Sequence, residues 1–385
     1  MKKSAKKSAS KKTAPEEYMS PEALMTAVNH EFGENTLVRA SEAVGLIKKR
    51  FSTGSFALDL VLHGGSPEGG IEIIEGERTS GKSWGLMSRA RCFLDKHAEG
   101  VFILVNAEGT NDPDFLSMLR VPLDRTYILS PDSGEQAWDA AVFVAKRAKK
   151  VYLGIDSLDA MVPMSELSAD MDQSSVALAA RMNNKGFRKL VNAMRSDLLS
   201  SDQRVTACFI TQLRTNIGIM FGDPNTSVGG KGKEFAASQI IRMKRKAYVR
   251  TEGAKLIDRI TFGIVVSAHI HKSKGCGEGE QVEYTLYKEN YKGFKRGEID
   301  NVTELVPFLL RYEIVKKKGS WYTLPNEDRV QGDEGLADYL REYKEMLDYC
   351  QEEVKAVYAQ RYALPAEETK EEPQKRRRSR RRKAR

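Results

Sequence analysis

Eight residues, Gly76-Glu77-Arg78-Thr79-Ser80-Gly81-Lys82-Ser83, constrain this chain more than any others. They fit G-x-x-x-x-G-K-[ST], the phosphate-binding P-loop. An apolar run, Ile71-Glu72-Ile73-Ile74, precedes them, and a helix-compatible run, Trp84 to Lys96, follows. Strand, glycine loop and helix form the context in which such a string binds phosphate; a plain glycine-rich turn is the other reading, and the flanks speak against it. The glycines let backbone N–H groups converge on phosphate oxygens, and the new helix points its positive end there too. Lys82 is placed to reach the β- and γ-phosphates of ATP, and the Ser83 hydroxyl to ligate Mg²⁺.

The pattern around the motif predicts the fold. Val101-Phe102-Ile103-Leu104-Val105 and Val151-Tyr152-Leu153-Gly154-Ile155-Asp156 are continuous apolar runs, as in buried parallel strands. Thr206 to Ile210 reads as a fourth strand. Amphipathic helices are expected at Glu135–Lys149 and Ala179–Leu199. Strands alternating with helices predict an α/β fold with a mostly parallel sheet covered on both faces. Upstream, Ser20-Pro21 forms an N-cap and N1 pair for a helix over Pro21–Phe32, and Thr36 to Arg39 reads as extended. Downstream, residues 260–290 return to strand-like alternation. Phe308–Tyr322 and Gly335–Tyr358 suggest a small mixed α/β module.

Charge is distributed unevenly. Residues 1–12 carry six lysines and residues 375–385 nine Lys/Arg, with no acid in either stretch. Without those fifteen, the 62 basic residues drop to 47 against 53 acids, so the middle is mildly acidic despite a net charge of +9. Basic ends of this kind are commonly disordered, and they bind nucleic acid, act as addresses or stay solvated. No apolar run approaches the roughly 20 residues of a membrane helix. The start, Met1 to Pro15, lacks the apolar stretch of a secretory signal. Four scattered cysteines point to a reducing, cytoplasmic setting without a disulfide framework.

Beyond the P-loop, Asp156 ends an apolar strand and can hold Mg²⁺ through water. Glu108 follows the strand Val101–Val105, where ligands gather in parallel α/β sheets. It is either a base that polarises an attacking water or a surface loop acid. Gln212 closes the strand at Thr206–Ile210 and opens a polar segment, Arg214–Gly232, with five glycines. It can sense a γ-phosphate or simply end the strand. That segment is longer than an ordinary connection. Arg214, Lys231 and Lys233 at its margins, with Ile217, Ile219, Met220 and Phe221 inside, suit a DNA backbone and separated bases. A plain flexible loop is the alternative. His269-x-His271 lacks an evident third metal ligand and reads as structural.

From about Pro21 to Tyr358 these strings resemble the bacterial RecA recombinase family. The resemblance is carried by Ser52-Thr53-Gly54-Ser55, the P-loop, Asn106-Ala107-Glu108, Pro131 to Ala137, Ile155-Asp156-Ser157, Leu178 to Met182, Phe209 to Arg214, Ile217 to Gly222 and Gly319-Ser320-Trp321-Tyr322. It implies a DNA-dependent ATPase that forms a head-to-tail helical filament on single-stranded DNA, pairs it with a homologous duplex and exchanges strands in recombination and repair. It implies an organisation into a basic arm at 1–15, an oligomerisation helix and strand at 16–48, a RecA-type ATPase core at 49–290, a small α/β domain at 291–360 and a basic tail at 361–385. It assigns water activation to Glu108, γ-phosphate sensing to Gln212 and adenine contacts to Asp112, Phe115 and Tyr287. Lys272 and Lys274 would reach the neighbouring subunit's γ-phosphate. Arg181, Arg188 and Arg214 would contact DNA phosphates, with Val176 and Ile217 as wedges and Met220, Phe221 and Lys231 in the second DNA loop.

Three features depart from that pattern. Val176 stands where the family usually has Met. Ser267 and His269 stand where it has basic residues tied to duplex binding and repressor cleavage, which argues against a co-protease role. The tail is basic where the family's is acidic, as would fit a phage- or plasmid-encoded member. Two other functions share much of this chemistry: a hexameric motor such as a replicative helicase, and a DNA-coating protein that binds ATP without turnover.

Overall fold

The computed structural model describes residues 18–43, 49–168, 176–195, 205–215, 225–227, 230–251, 259–275 and 277–362. The expected basic arm, residues 363–385 of the expected basic tail and the loop residues Ile217, Met220 and Phe221 lie outside them. Two compact units are present, Met1–Leu305 and Val306–Arg385.

In the larger unit, α1 (Pro21–Phe32) starts as the sequence predicts. Ser20 accepts a hydrogen bond from Ala23 N at 3.2 Å, and Pro21 takes the first helical position. The helix buries none of its residues. Among the described residues, the expected extended piece at Thr36–Arg39 pairs with no strand; Asn29 instead grips both backbone groups of Leu37, at 2.7 and 2.9 Å.

A small ribbon of β1 (Arg50–Phe51) and β2 (Ser66–Pro67) encloses α2 (Phe56–Val61). The alternation then begins. β3 (Ile71–Gly76) leads to α3 (Lys82–Lys96), β4 (Val101–Asn106) to α4 (Pro113–Met118) and β5 (Thr126–Leu129) to α5 (Gly134–Arg147). β6 (Val151–Asp156) precedes the short α6 (Met164–Leu167) and the long α7 (Val176–Ala193). β7 (Val205–Thr215), β8 (Asn225–Ser227), α8 (Gly230–Ala236), β9 (Gln239–Arg250), β10 (Thr261–Ser273) and β11 (Gln281–Tyr287) follow.

These strands make one nine-stranded sheet in the order β11-β10-β9-β3-β7-β6-β4-β5, with β8 added to β7. The run from β9 to β5 is parallel, and β8, β10 and β11 are antiparallel additions. The α/β class and mostly parallel sheet agree with the sequence reading. That reading contains neither β5 nor β9. β5 is a four-residue edge strand, and the outer half of β9 is mostly polar and exposed, so neither shows a continuous apolar run.

Every residue of β3 and β6 is buried, as strands covered on both faces require. Beside them Trp138 of α5, Phe187 of α7 and Phe209 of β7 pack with ring centroids 4.9 to 5.4 Å apart. Full burial of a Phe side chain contributes about 1.5–3 kcal/mol. Gly186 allows α7 to seat there, because any side chain at that position would run into the Trp138 ring.

The smaller unit contains α9 (Val306–Arg311), β12 (Lys316–Lys318), β13 (Trp321–Thr323), β14 (Arg329–Gln331), α10 (Gly332–Glu342) and α11 (Lys344–Tyr362). Its three strands form an antiparallel sheet packed around Tyr322, Leu336 and Leu340. Residues 291–305, which the sequence reading groups with this module, bond into the larger unit. Glu304, for instance, accepts from Ser55 Oγ and Phe56 N, both at 2.6 Å. Among the described residues no helix is long and apolar enough to cross a membrane.

Candidate active site and DNA-facing surface

β3 delivers the chain to Gly76, and α3 takes it up again at Lys82. Between them the loop must turn sharply. Gly81 does so at φ 93°, a left-handed conformation that costs glycine little. Thr79 also has positive φ, 60°. The Ser80 hydroxyl and the Lys82 ammonium both donate to the Glu77 carbonyl, at 2.9 and 2.8 Å. Arg245 of β9 donates to the Thr79 hydroxyl. Burial lowers the pKa of Lys82 against the opposing pull of Asp156, Asp159, Glu108 and Glu77. An ammonium ringed by acids and partly stripped of water is primed to exchange them for phosphate oxygens.

The sheet register places the other groups at the same edge. Gly76 pairs with Gln212, and Asn106 with Asp156. The ends of β3, β6 and β4, which lead into Lys82, Asp156 and Glu108, therefore lie at one edge, with Gln212 of β7 beside Gly76. Asp156 is 2% exposed, and burial raises its carboxyl pKa. Asn111 Nδ2 donates to it at 3.1 Å, and Ser83 bonds it as well. A hydroxyl and a carboxylate facing each other at a P-loop are hard oxygen donors, which fit Mg²⁺. Among the described residues no group of three or more His, Cys, Asp or Glu could hold a metal by itself. A cation here would depend on water and phosphate for its remaining ligands.

Glu108 is exposed at the start of the loop after β4, and its backbone N–H reaches the Asp156 carbonyl at 3.2 Å. Ser157 Oγ donates to Glu108 Oε1 at 2.5 Å, fixing the carboxylate beside the Asp156 strand end. Gln212 is half-buried and lies within β7, which continues to Thr215 because β8 pairs with residues 213–215. The strand therefore does not close at Ile210. Asp159 Oδ2 accepts from Gln212 N at 2.7 Å and from Thr211 Oγ1 at 2.9 Å.

A cavity of about 310 Å³ opens beside the loop, lined on one side by Thr79 to Trp84. Thr110, Asn111, Phe115 and Lys288 form the rest. The Trp84 and Phe115 rings meet edge to face at 6.1 Å. Of the three expected adenine contacts, Phe115 lines the cavity. Asp112 caps α4, accepting from Phe115 N at 2.7 Å, and Tyr287 is buried and stacked on Phe294 at 4.3 Å. Glu77 and Arg78 lie on the exposed outer turn of the loop. Trp84, Asn111, Asp159 and Lys288 are additions that sequence reasoning missed. Lys288 could not be placed from sequence, because it approaches the loop from more than 200 positions away.

Lys272 and Lys274 line no part of that cavity. Their ammonium groups rest on the carbonyls of Glu234 and Phe235 in α8, the second at 3.3 Å. The candidate DNA-contacting cations gather elsewhere. Arg188 and Lys231 line one groove of about 660 Å³ with Phe187, Val191 and Phe235, between α7 and α8. Arg181 is exposed about two turns earlier on α7, which Val176 opens, and Arg214 is exposed near the end of β7. The unassigned segment 216–224 leaves from that end of β7 and returns through β8.

Two family models match this chain. The RecA N-terminal domain matches residues 20–274 and the RecA C-terminal domain residues 303–359. Protein RecA of Nocardia farcinica (strain IFM 10152) is 31% identical over 364 residues, covering 94% of this chain and 99% of that protein. Protein RecA of Clostridioides difficile (strain 630) is 30% identical over 334 residues, or 86% and 89% of the two chains. Protein RecA of Lactococcus lactis subsp. cremoris (strain MG1363) is 30% identical over 350 residues, or 90% and 86%.

Proposed function

Because this chain belongs to the RecA family, whose members are ATPases of DNA recombination and repair, we propose that it is a strand-exchange recombinase. It assembles head to tail on single-stranded DNA with ATP and pairs that strand with a homologous duplex. One observation carries the reading most directly. The register that sets Gly76 of the P-loop beside Gln212 also makes Gln212 part of the strand from which segment 216–224 departs. Nucleotide and DNA would thus pull on one strand.

In this mechanism the P-loop N–H groups and Lys82 bind the phosphates of ATP. Bound Mg²⁺, held by Ser83 and through water by Asp156, would neutralise charge on the β- and γ-phosphates. Glu108, oriented by Ser157, accepts the proton of the attacking water. Gln212 reports the γ-phosphate to β7. Lys272 and Lys274 approach the nucleotide of the neighbouring subunit, so turnover requires assembly. Arg181, Arg188, Arg214 and Lys231 neutralise the DNA backbone, with Val176, Ile217, Met220 and Phe221 beside the bases.

The N-terminal arm supports assembly. α1 leaves Leu24 and Phe32 exposed, and Thr36–Arg39 has no strand partner among the described residues. β5 is a sheet edge with Tyr127 and Ile128 exposed, the kind of edge that a neighbour's strand completes. A strand-exchange assay with ATP, run with homologous and with unrelated duplex and imaged for filaments, tests the proposal. Unwinding without a homology requirement would favour a motor, and absence of phosphate release a passive coat.

A further inference from the structure

Glu75 carries a charge where charge is costly. It directly precedes the first glycine of the P-loop and is 1% exposed. Removing a carboxylate from water costs several kcal/mol unless partners surround it. Three elements provide them. Lys233 of α8, 4% exposed, donates Nζ to Oε1. Ser227 of β8 donates to the same oxygen at 2.9 Å, and Arg242 of β9 donates Nε to Oε2 at 3.0 Å. Burial alone would raise the Glu75 carboxyl; the charge of Lys233 and the bonds from Lys233, Ser227 and Arg242 hold it below the usual range.

The partners form a path. Ser227 and Lys233 lie just after segment 216–224, on its return side. Lys233 belongs to the same short helix, Gly230–Ala236, whose Glu234 and Phe235 carbonyls hold Lys272 and Lys274. Contacts thus run without a break from the residue before the P-loop, through α8, to the two lysines.

We propose that the buried Glu75–Lys233 ion pair is a positioning element for ATP turnover. It registers α8, and with it Lys272 and Lys274, to the chain's own phosphate loop. A subunit then presents its lysines to its neighbour in a geometry set by its own nucleotide site. This rests on the reading that those lysines act on the neighbouring subunit's ATP. Energetics favour positioning over stability. Replacing a buried pair by groups of similar volume is often neutral, because desolvation offsets attraction, whereas removing one partner is strongly destabilising.

The test uses full-length protein with ATP and poly(dT). Glu75→Gln/Lys233→Met, Lys233→Arg and Lys272→Ala are compared with the parent for melting, ATP KM, kcat and cooperativity in ATP. The double variant should melt near the parent and keep its KM. Its kcat should fall by about tenfold or more, with cooperativity lost, since small misplacements of catalytic groups cost orders of magnitude. Lys233→Arg should recover most of the rate. If the double variant melts far below the parent, Glu75→Asp carries the test: it keeps the charge, shortens the reach and should lower kcat at an unchanged melt. Parent kcat and cooperativity in a folded pair variant, while Lys272→Ala is inactive, would overturn the proposal and leave the trans reading standing. Parent turnover by Lys272→Ala would remove the trans reading and the proposal together.

Discussion

Replacing Asp159 by Ala would cut the two hydrogen bonds that hold Gln212 and Thr211 in place, at 2.7 and 2.9 Å. β6 pairs with β7 only as far as Ile155 and Phe209, so beyond that point Asp159 supplies the partner that a strand would. A hydrogen bond to a charged acceptor contributes about 1.5–3 kcal/mol. Asp159 is half-buried, and water can replace part of that contribution, so the summed loss should be roughly 2 kcal/mol. At roughly 2.1 cal/mol/K per residue, a unit of this size would lose about 3 °C in Tm. Turnover should suffer more. Gln212 would leave its register beside Gly76, and a displacement near 1 Å costs on the order of 10²-fold. Asp159→Asn keeps an acceptor oxygen in the same shape and should retain most of the stability and more of the rate. The assay is phosphate release on saturating poly(dT), with ATP KM and melting measured separately. A lowered melt with parent kcat would refute the reasoning, because the bond would then secure the strand without aligning Gln212.

Lys82→Ala should abolish ATP turnover and strand exchange, whereas Glu108→Gln should keep ATP binding and assembly but lower hydrolysis by about 10²–10⁴-fold; parent hydrolysis by Glu108→Gln would exclude Glu108 as the base. Glu304 is buried, which raises its pKa from 4.5 to about 8 despite the bonds from Ser55 and Phe56. The folded protein therefore keeps a proton that the unfolded chain releases, so the contribution of Glu304 to stability is fully present below about pH 4.5 and is lost as pH rises through about 8. Glu304→Gln should flatten that decline in melts between about pH 5 and 8, and an unchanged slope would assign it to other groups. Deleting residues 375–385 removes nine cationic side chains. If four of them engage duplex phosphates, the slope of log affinity against log salt should fall by about 3.6 while ATP turnover barely changes; identical slopes would give the tail another role.

The parts of this site that were legible in sequence are local. Gly76 to Ser83 is contiguous, and its chemistry follows from residue type. Asp156 stands out because a six-residue buried strand ends on it. The α/β class follows from apolar runs separated by amphipathic ones. Other features depend on pairings that no local pattern encodes. Glu75 and Lys233 are 158 positions apart, and each alone reads as an ordinary charged residue. Asp159, one turn beyond Asp156, reads as a loop acid until β7 arrives beside it. Gln212 looks like a strand end because Thr211 to Thr215 is mostly polar; the strand continues because a hairpin partner, not the core, pairs with it. The packing of Tyr287, whose ring stacks on Phe294 and meets Tyr291 at a tilt, is likewise not written in its own segment.

The rival functions separate at different levels of this structure. A passive coat needs phosphate binding only. It has no use for a serine that orients Glu108, or for a carboxylate that fixes the backbone of Gln212, and both bonds are present. A hexameric motor would use all of them, because ring and filament alike can place cations in trans. What distinguishes those two is whether the rotation between subunits closes. An arm that joins a neighbour's sheet through a linker tolerates a range of rotations, whereas a closed ring requires one. Here α1 buries none of its residues, and β5 offers an edge. An arm that docks on such an edge would suit an assembly whose pitch changes as nucleotide is bound and lost. In a filament such a change would be passed through β7, which lies beside Gly76 at Gln212 and from which segment 216–224 departs.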